Sequence, residues 1–210
     1  MNSIRSSLLV LSLVFSGTAM LCAQSGATPA PATTPALTAP PAPRVAAPGR
    51  KSPHETISTV IGDRRTGNRI TITYGRPYTN DPKTGTPRKI WGGLVAWDKA
   101  DRLGADEATL LITQQPLLIA ETTIPAGAHT LYLLPSEKGP TKLAFSTNLG
   151  KWGVPVDEAH DLARVELKKA PLEKSVDQLT LAIENSPAGG GTLKIMWENT
   201  EFSVPFTVQK

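Results

Sequence analysis

Apolar and polar side chains alternate with a period of two through most of the chain beyond residue 68. In residues 69–74 (RITITY), Ile70, Ile72 and Tyr74 share one face and Thr71 and Thr73 the other. Residues 177–184 (DQLTLAIE) put Leu179, Leu181 and Ile183 together, and residues 192–198 (TLKIMWE) do the same with Leu193, Ile195 and Trp197. Residues 201–208 (EFSVPFTV) align Phe202, Val204, Phe206 and Val208, and 143–145 and 164–167 repeat the pattern in shorter form. Such alternation marks antiparallel strands with one wet face. Turn-forming clusters at 63–68, 82–87, 125–127, 136–140, 148–150 and 186–191 separate the runs. The pattern predicts a single all-β domain, an antiparallel, jelly-roll-like β-sandwich of about nine or ten short strands. The last two runs are expected to form a hairpin across Glu198-Asn199-Thr200. Pro205 marks an edge or a bulge, because proline donates nothing to the ladder. Only residues 156–164 have room for helix, and then for a single turn.

The N-terminal part follows a different rule. Arg5 precedes the short apolar run Leu8–Phe15, and small residues lead to Ala23. This is the pattern of a secretory signal over residues 1–23, too short to span a bilayer. The expected location is periplasmic or extracellular. A lipid anchor through Cys22 is the less favoured alternative, since Leu21 and Ala19 stand where a lipoprotein signal has a small residue and a leucine. After cleavage behind Ala23 the mature chain keeps no cysteine, so disulfides and thiolate chemistry are not expected. Residues 24–51 are Ala, Pro and Thr-rich and read as a disordered linker, unable to bury enough apolar area to offset chain entropy. Residues 52–210 are left for the β-sandwich.

Charge narrows the partners. Of the 22 Lys and Arg residues, Arg5, Arg44, Arg50 and Lys51 precede residue 52, leaving 18 against 18 Asp and Glu in the domain. A neutral domain gives no electrostatic footprint for nucleic acid, and no later run is long enough for a transmembrane span. Phosphate-binding loops, dinucleotide fingerprints, nucleophile elbows and zinc-protease motifs are all missing. His54, His129 and His160 lie outside helical ligand spacing of one another, so no metal and no cofactor is expected. Asp157, Glu158 and Asp161 around His160 read as a solvated acidic loop before they read as a cation site with oxygen ligands.

The densest collection of functional side chains is residues 88–111, RKIWGGLVAWDKADRLGADEATLL. Trp91 and Trp97 stand with Asp98, Lys99, Asp101, Arg102, Asp106 and Glu107. Aromatic rings beside planar charged groups suit sugar binding, the rings stacking on apolar faces while the charges hold hydroxyls. The competing reading makes both tryptophans anchors of a long connection and the charges solvated. Entry into a strand near residue 105 is expected to put Glu107 and Thr109 on one face and adjacent Asp106 and Glu107 on opposite faces, which argues against these two as a glycosidase pair.

Taken together, ITITYGRP (70–77), the 88–111 block, IPAGAHTLYLLP (124–135), WG (152–153), DLARVEL (161–167) and LKIMWENTEFSVPF (193–206) resemble the bacterial family catalogued as domain of unknown function 2911. The resemblance implies an exported β-domain protein without an assigned activity. It matches Arg76-Pro77, Lys89, Trp91-Gly92-Gly93, Arg102, Gly104-Ala105, Glu107 and Thr109 to the family blocks. This chain departs at Asp101, where the family has Trp, at Asp106, where it has Asn, and at Ala128-His129, where Thr-Tyr is usual.

These readings converge on a non-enzymatic envelope protein that binds a glycan, an envelope fragment or a protein partner through Arg76, Lys89, Trp91, Trp97, Arg102, Asp106, Glu107 and Thr109. A hydrolase acting on carbohydrate or ester through Glu107 and a second carboxylate or histidine is the first alternative. A structural or assembly protein without a small-molecule site is the second.

Overall fold

The computed structural model describes residues 45–209. The expected signal sequence and most of the expected linker lie outside these residues. Eleven strands are formed: β1 (His54–Ile61), β2 (Asn68–Gly75), β3 (Asp101–Arg102), β4 (Thr109–Thr113), β5 (Leu117–Ile119), β6 (Thr122–Ile124), β7 (Gly127–Leu134), β8 (Lys142–Ser146), β9 (Asp161–Glu166), β10 (Lys168–Ser186) and β11 (Gly190–Val208). One seven-stranded sheet runs β1-β2-β4-β7-β8-β9 with β3 attached to β7, and a four-stranded sheet runs β10-β11-β5-β6. Every strand pairing is antiparallel. The predicted all-β sandwich is therefore present, with two sheets of unequal size.

The alternation explains which faces meet. Ile70 and Ile72 of β2, Leu111 of β4, Leu131 of β7 and Phe145 of β8 join Leu181 of β10 and Ile195, Phe202 and Phe206 of β11 in one buried cluster. Each such side chain withdrawn from water contributes about 1.5–3 kcal/mol. A buried polar tie crosses the same core. Arg76, 1% exposed, donates from Nε to the Leu179 carbonyl at 3.0 Å and from Nη2 to Thr180 Oγ1 at 2.8 Å. Its Nη1 lies 3.3 Å from Glu55 Oε2. The Tyr74 hydroxyl donates to the same carboxylate at 2.8 Å and accepts from the Leu181 amide at 2.9 Å. Charge buried in this way is tolerated only when paired and hydrogen-bonded, and here the pairing joins β1 and β2 to β10.

One expectation needs correction. Residues 192–197 and 201–208 are not two arms of a hairpin but one 19-residue strand, β11, paired from Gly190 to Ser203 with the equally long β10. The polar triplet 198–200 bends this strand instead of reversing it. Glu198 takes a positive φ of 55°, opposite the register shifts that flank Val176. An extra, unpaired stretch of this kind bends a strand and sharpens its twist. The reversal comes at the Ser186–Gly190 turn, where Gly189 has φ 86°. Pro205 falls between the last β11 pair with β10, Lys168–Ser203, and its first with β5, Thr207–Leu118. The single helical turn is a 3-10 turn, Glu158–His160, capped by the Asp157 side chain.

The outward face of the large sheet is only partly open. Tyr132 and Ser146, which point away from the core, are 2% exposed, covered by the chain between β8 and β9. The Thr130 hydroxyl donates to the Asn148 carbonyl at 2.8 Å, and the Ser146 hydroxyl to His160 O at 3.2 Å, holding that connection down.

Candidate functional site

The site is built on backbone approaches that only glycine permits. Gly75 ends β2, and a Cβ there would stand 2.1 Å from the Ala105 carbonyl oxygen. Gly104, at φ 123°, would place its own Cβ 2.8 Å from Gly75 O. The turn 103–107 thus lies directly against the end of β2, beside His54, which pairs with Gly75 across the β1–β2 ladder. Thr109 is fully buried and its hydroxyl donates to the Leu103 carbonyl, closing the turn from beneath. Arg102 Nη1 donates to the Asp106 carbonyl at 2.6 Å and to the Trp152 carbonyl at 3.0 Å. Asp106 adopts φ 63°, a left-handed conformation in which Asn and Asp are the best-tolerated side chains after glycine. Asn, which the family resemblance places here, would suit the same conformation.

The positive φ also overturns the expected geometry of the two carboxylates. Glu107 precedes β4, so strand alternation does not reach it. Thr109 points into the core, while the Glu107 side chain is 47% exposed. Asp106 and Glu107 converge instead of pointing apart. His54 Nε2 lies 3.0 Å from Asp106 Oδ2 and 3.4 Å from Glu107 Oε2, and one ligand atom from each of the three residues falls within 4.8 Å of the others. Arg50, from the end of the Ala, Pro and Thr-rich stretch, grips Glu107 with two bonds of 2.7 Å. This pairing is the main reason that the Glu107 carboxyl is held down at about 2.

Beside this cluster, on the outward face of the large sheet, lies a cleft of about 460 Å³ with His54, Thr73, Glu107, Thr130 and Lys151 in its walls. A second hollow of about 230 Å³ adjoins it, reaching Tyr132, Asn148 and Asp157. Trp152 lines both. It is 55% exposed, and the Arg102 guanidinium sits 5.5 Å from its ring centroid. Gly153, at φ 83°, lets this loop close on the sheet, since a Cβ there would lie 3.1 Å from Ala108 Cβ and 3.2 Å from Arg102 Cβ. The Ala108 amide adds a bond of 3.2 Å to Lys151 O.

The residues singled out in the sequence divide into three groups. Arg102, Asp106 and Glu107 come together at the cleft, with Thr109 below them as a brace. Arg76 is enclosed between the sheets with Glu55 and lines neither of these two hollows. Trp91 and Trp97 stack on each other at 6.4 Å, and Trp91 meets Trp197 and Phe202 edge-on at 6.3 and 5.1 Å. Trp97 packs so closely on Gly92 that a Cβ there would fall 2.3 Å from its indole nitrogen. The two tryptophans therefore anchor the long connection, and Lys169 lies 5.7 Å over the Trp97 ring. Lys89 supports the Gly92–Gly93 turn, its carbonyl accepting from the Leu94 amide at 2.9 Å. The acidic residues around His160 are taken up by neighbouring bases: Arg164 pairs with Asp161 and Glu158 at 2.6 Å each, His160 with Asp157 at 2.9 Å. The tryptophan that lines the cleft, Trp152, was visible in the sequence only as a Trp-Gly pair in a loop, and Arg50 only as the tail of a linker.

A family model described as Protein of unknown function (DUF2911) matches residues 52–206. The chain belongs to this DUF2911 family. The match spans β1 through most of β11 and includes every residue that lines the two hollows, while Arg50 precedes it. No curated protein and no solved structure matches the chain.

Proposed function

We propose that this DUF2911 protein is exported to the cell envelope and binds a glycan, without chemistry, in the cleft on the outward face of its larger sheet. The observation that carries the reading is Trp152: a large aromatic ring, more than half exposed, fixed over a cleft by Arg102 and bordered by Glu107, Lys151 and threonine hydroxyls. An indole face offers the apolar surface of a sugar ring a stacking partner, and the surrounding charges and hydroxyls hold its polar edge. Leaving a tryptophan more than half exposed forfeits a good part of the roughly 150–250 Å² that it could bury, a cost that a binding role explains. Export rests on the signal-like N-terminus, where Arg5 precedes the apolar run 8–15 and small residues lead to Ala23.

Hydrolysis is the weaker reading. A glycosidase pair needs one carboxyl that carries a proton near neutral pH and a second across the scissile bond. Both Glu107 oxygens accept from Arg50, and Asp106 turns toward the same cation.

Calorimetric titration of the mature protein with chito-oligosaccharides and soluble peptidoglycan fragments tests the proposal. Saturable binding that is lost in Trp152→Ala, with the glycan recovered intact, is the expected result. Binding unchanged in Trp152→Ala, cleavage of the glycan, or no heat with any probe would contradict it.

A further inference from the structure

We infer that His54, Asp106 and Glu107 form a divalent-cation site of the zinc class, for which Arg50 is a built-in competitor. The three donors come from the start of β1 and from the turn before β4, and their spacing is that of ligands around one ion. Zinc bound at ~2.0–2.1 Å in a tetrahedral arrangement separates neighbouring donors by about 3.3 Å. The Nε2–Oδ2 and Nε2–Oε2 separations here are 3.0 and 3.4 Å.

A cationic nitrogen already sits at the point the three donors share. Arg50 Nη1 is 2.7 Å from Glu107 Oε2, 2.8 Å from His54 Nε2 and 3.6 Å from Asp106 Oδ2. It fills that point imperfectly. A guanidinium only donates, so His54 Nε2 must present a lone pair to Arg50. The same Nε2 lies 3.0 Å from the Asp106 carboxylate, which only accepts and would require a proton there. One of the two contacts is therefore unfavourable in either tautomer. A metal ion removes the conflict, since it takes lone pairs from the imidazole and both carboxylates together. It also balances two negative charges where Arg50 balances one. An imidazole with two carboxylates suits zinc or manganese better than magnesium. His54 and Glu107 also line the cleft, so a further ligand would enter from there, as in zinc sites with an open position.

The test uses the full chain freed of metal with a chelator and titrated calorimetrically with zinc chloride, with calcium and magnesium chloride as comparisons and no glycan present. Zinc is expected to bind one to one. Arg50→Ala should tighten binding roughly tenfold by removing the competitor, and His54→Ala and Asp106→Asn should each weaken it roughly tenfold or more. Asparagine suits the positive φ at residue 106, so this variant loses a charge without straining the turn. A His160→Ala control should bind as the parent does. Absence of zinc binding in both the parent and Arg50→Ala, or binding unchanged by His54→Ala and Asp106→Asn, would overturn the proposal. Because no glycan takes part, either result is independent of what occupies the cleft beside Trp152.

Discussion

Arg76 and Trp152 are both large and partly apolar, yet they sit in opposite environments, and substitution should separate them. Removing the Arg76 guanidinium leaves Glu55 charged inside the sandwich. Arg76→Met is expected to lower unfolding free energy by about 3–5 kcal/mol, read from urea denaturation at neutral pH. Trp91→Ala should cost a similar ~3–5 kcal/mol, because its ring packs on Trp97, Trp197 and Phe202. Trp152→Ala, at an exposed position, should stay within about 0.5 kcal/mol of the parent. Equal losses for Trp91 and Trp152 would mean that both are anchors. Asp101 makes a pH-dependent prediction. Burial raises its carboxyl from 3.8 to about 6, against a smaller opposing effect of Arg102. The folded state therefore holds this proton more tightly than the unfolded chain, so the stability that it contributes is full below pH 3.8 and is lost as pH rises through 6. Asp101→Asn should flatten that decline and stabilise the protein at pH 7 by about 1–3 kcal/mol, measured as urea midpoints from pH 4 to 8.

The turn 103–107 is the element on which the cleft depends, and its two glycine contacts make it brittle. Gly104→Ala must accommodate a Cβ at φ 123° and 2.8 Å from a backbone oxygen. It should shift the amide resonances of His54, Asp106 and Glu107 and lower stability by about 1–3 kcal/mol, whereas a surface change such as Lys138→Ala should do neither. This turn also shows why the site was less legible than the fold. Strand periodicity is a local signal, so β2, β8, β9, the second half of β10 and both halves of β11 could be read from the sequence directly. The bend at Glu198 looked like a reversal because a polar triplet inside a strand has the composition of a turn. Asp106 and Glu107 were read with strand geometry and assigned opposite faces, but one positive φ turns them together. Arg50 and Trp152 reach the cluster and the cleft across long sequence separations, and no local pattern encodes such an approach. Arg102 and Glu107 were legible as candidate side chains, whereas the burial of Arg76 depends on Glu55, Thr180 and the neighbouring sheet.

In the molecule as a whole, the described residues place one face of the large sheet against the second sheet and leave the other partly roofed by the chain between β8 and β9. That roof creates the cleft and presents Trp152 over it. No helix among the described residues is long and apolar enough to cross a membrane. The most direct test of glycan binding is the set of indole N–H signals of the mature protein, four in number from Trp91, Trp97, Trp152 and Trp197. They would be followed by two-dimensional NMR as a soluble peptidoglycan fragment is added, with Trp152→Phe assigning the exposed ring. A saturable shift of the Trp152 signal is predicted while those of Trp91, Trp97 and Trp197 stay in place. Movement of Trp91 or Trp97 with Trp152 unmoved, or no movement of any indole at saturating fragment, would contradict it.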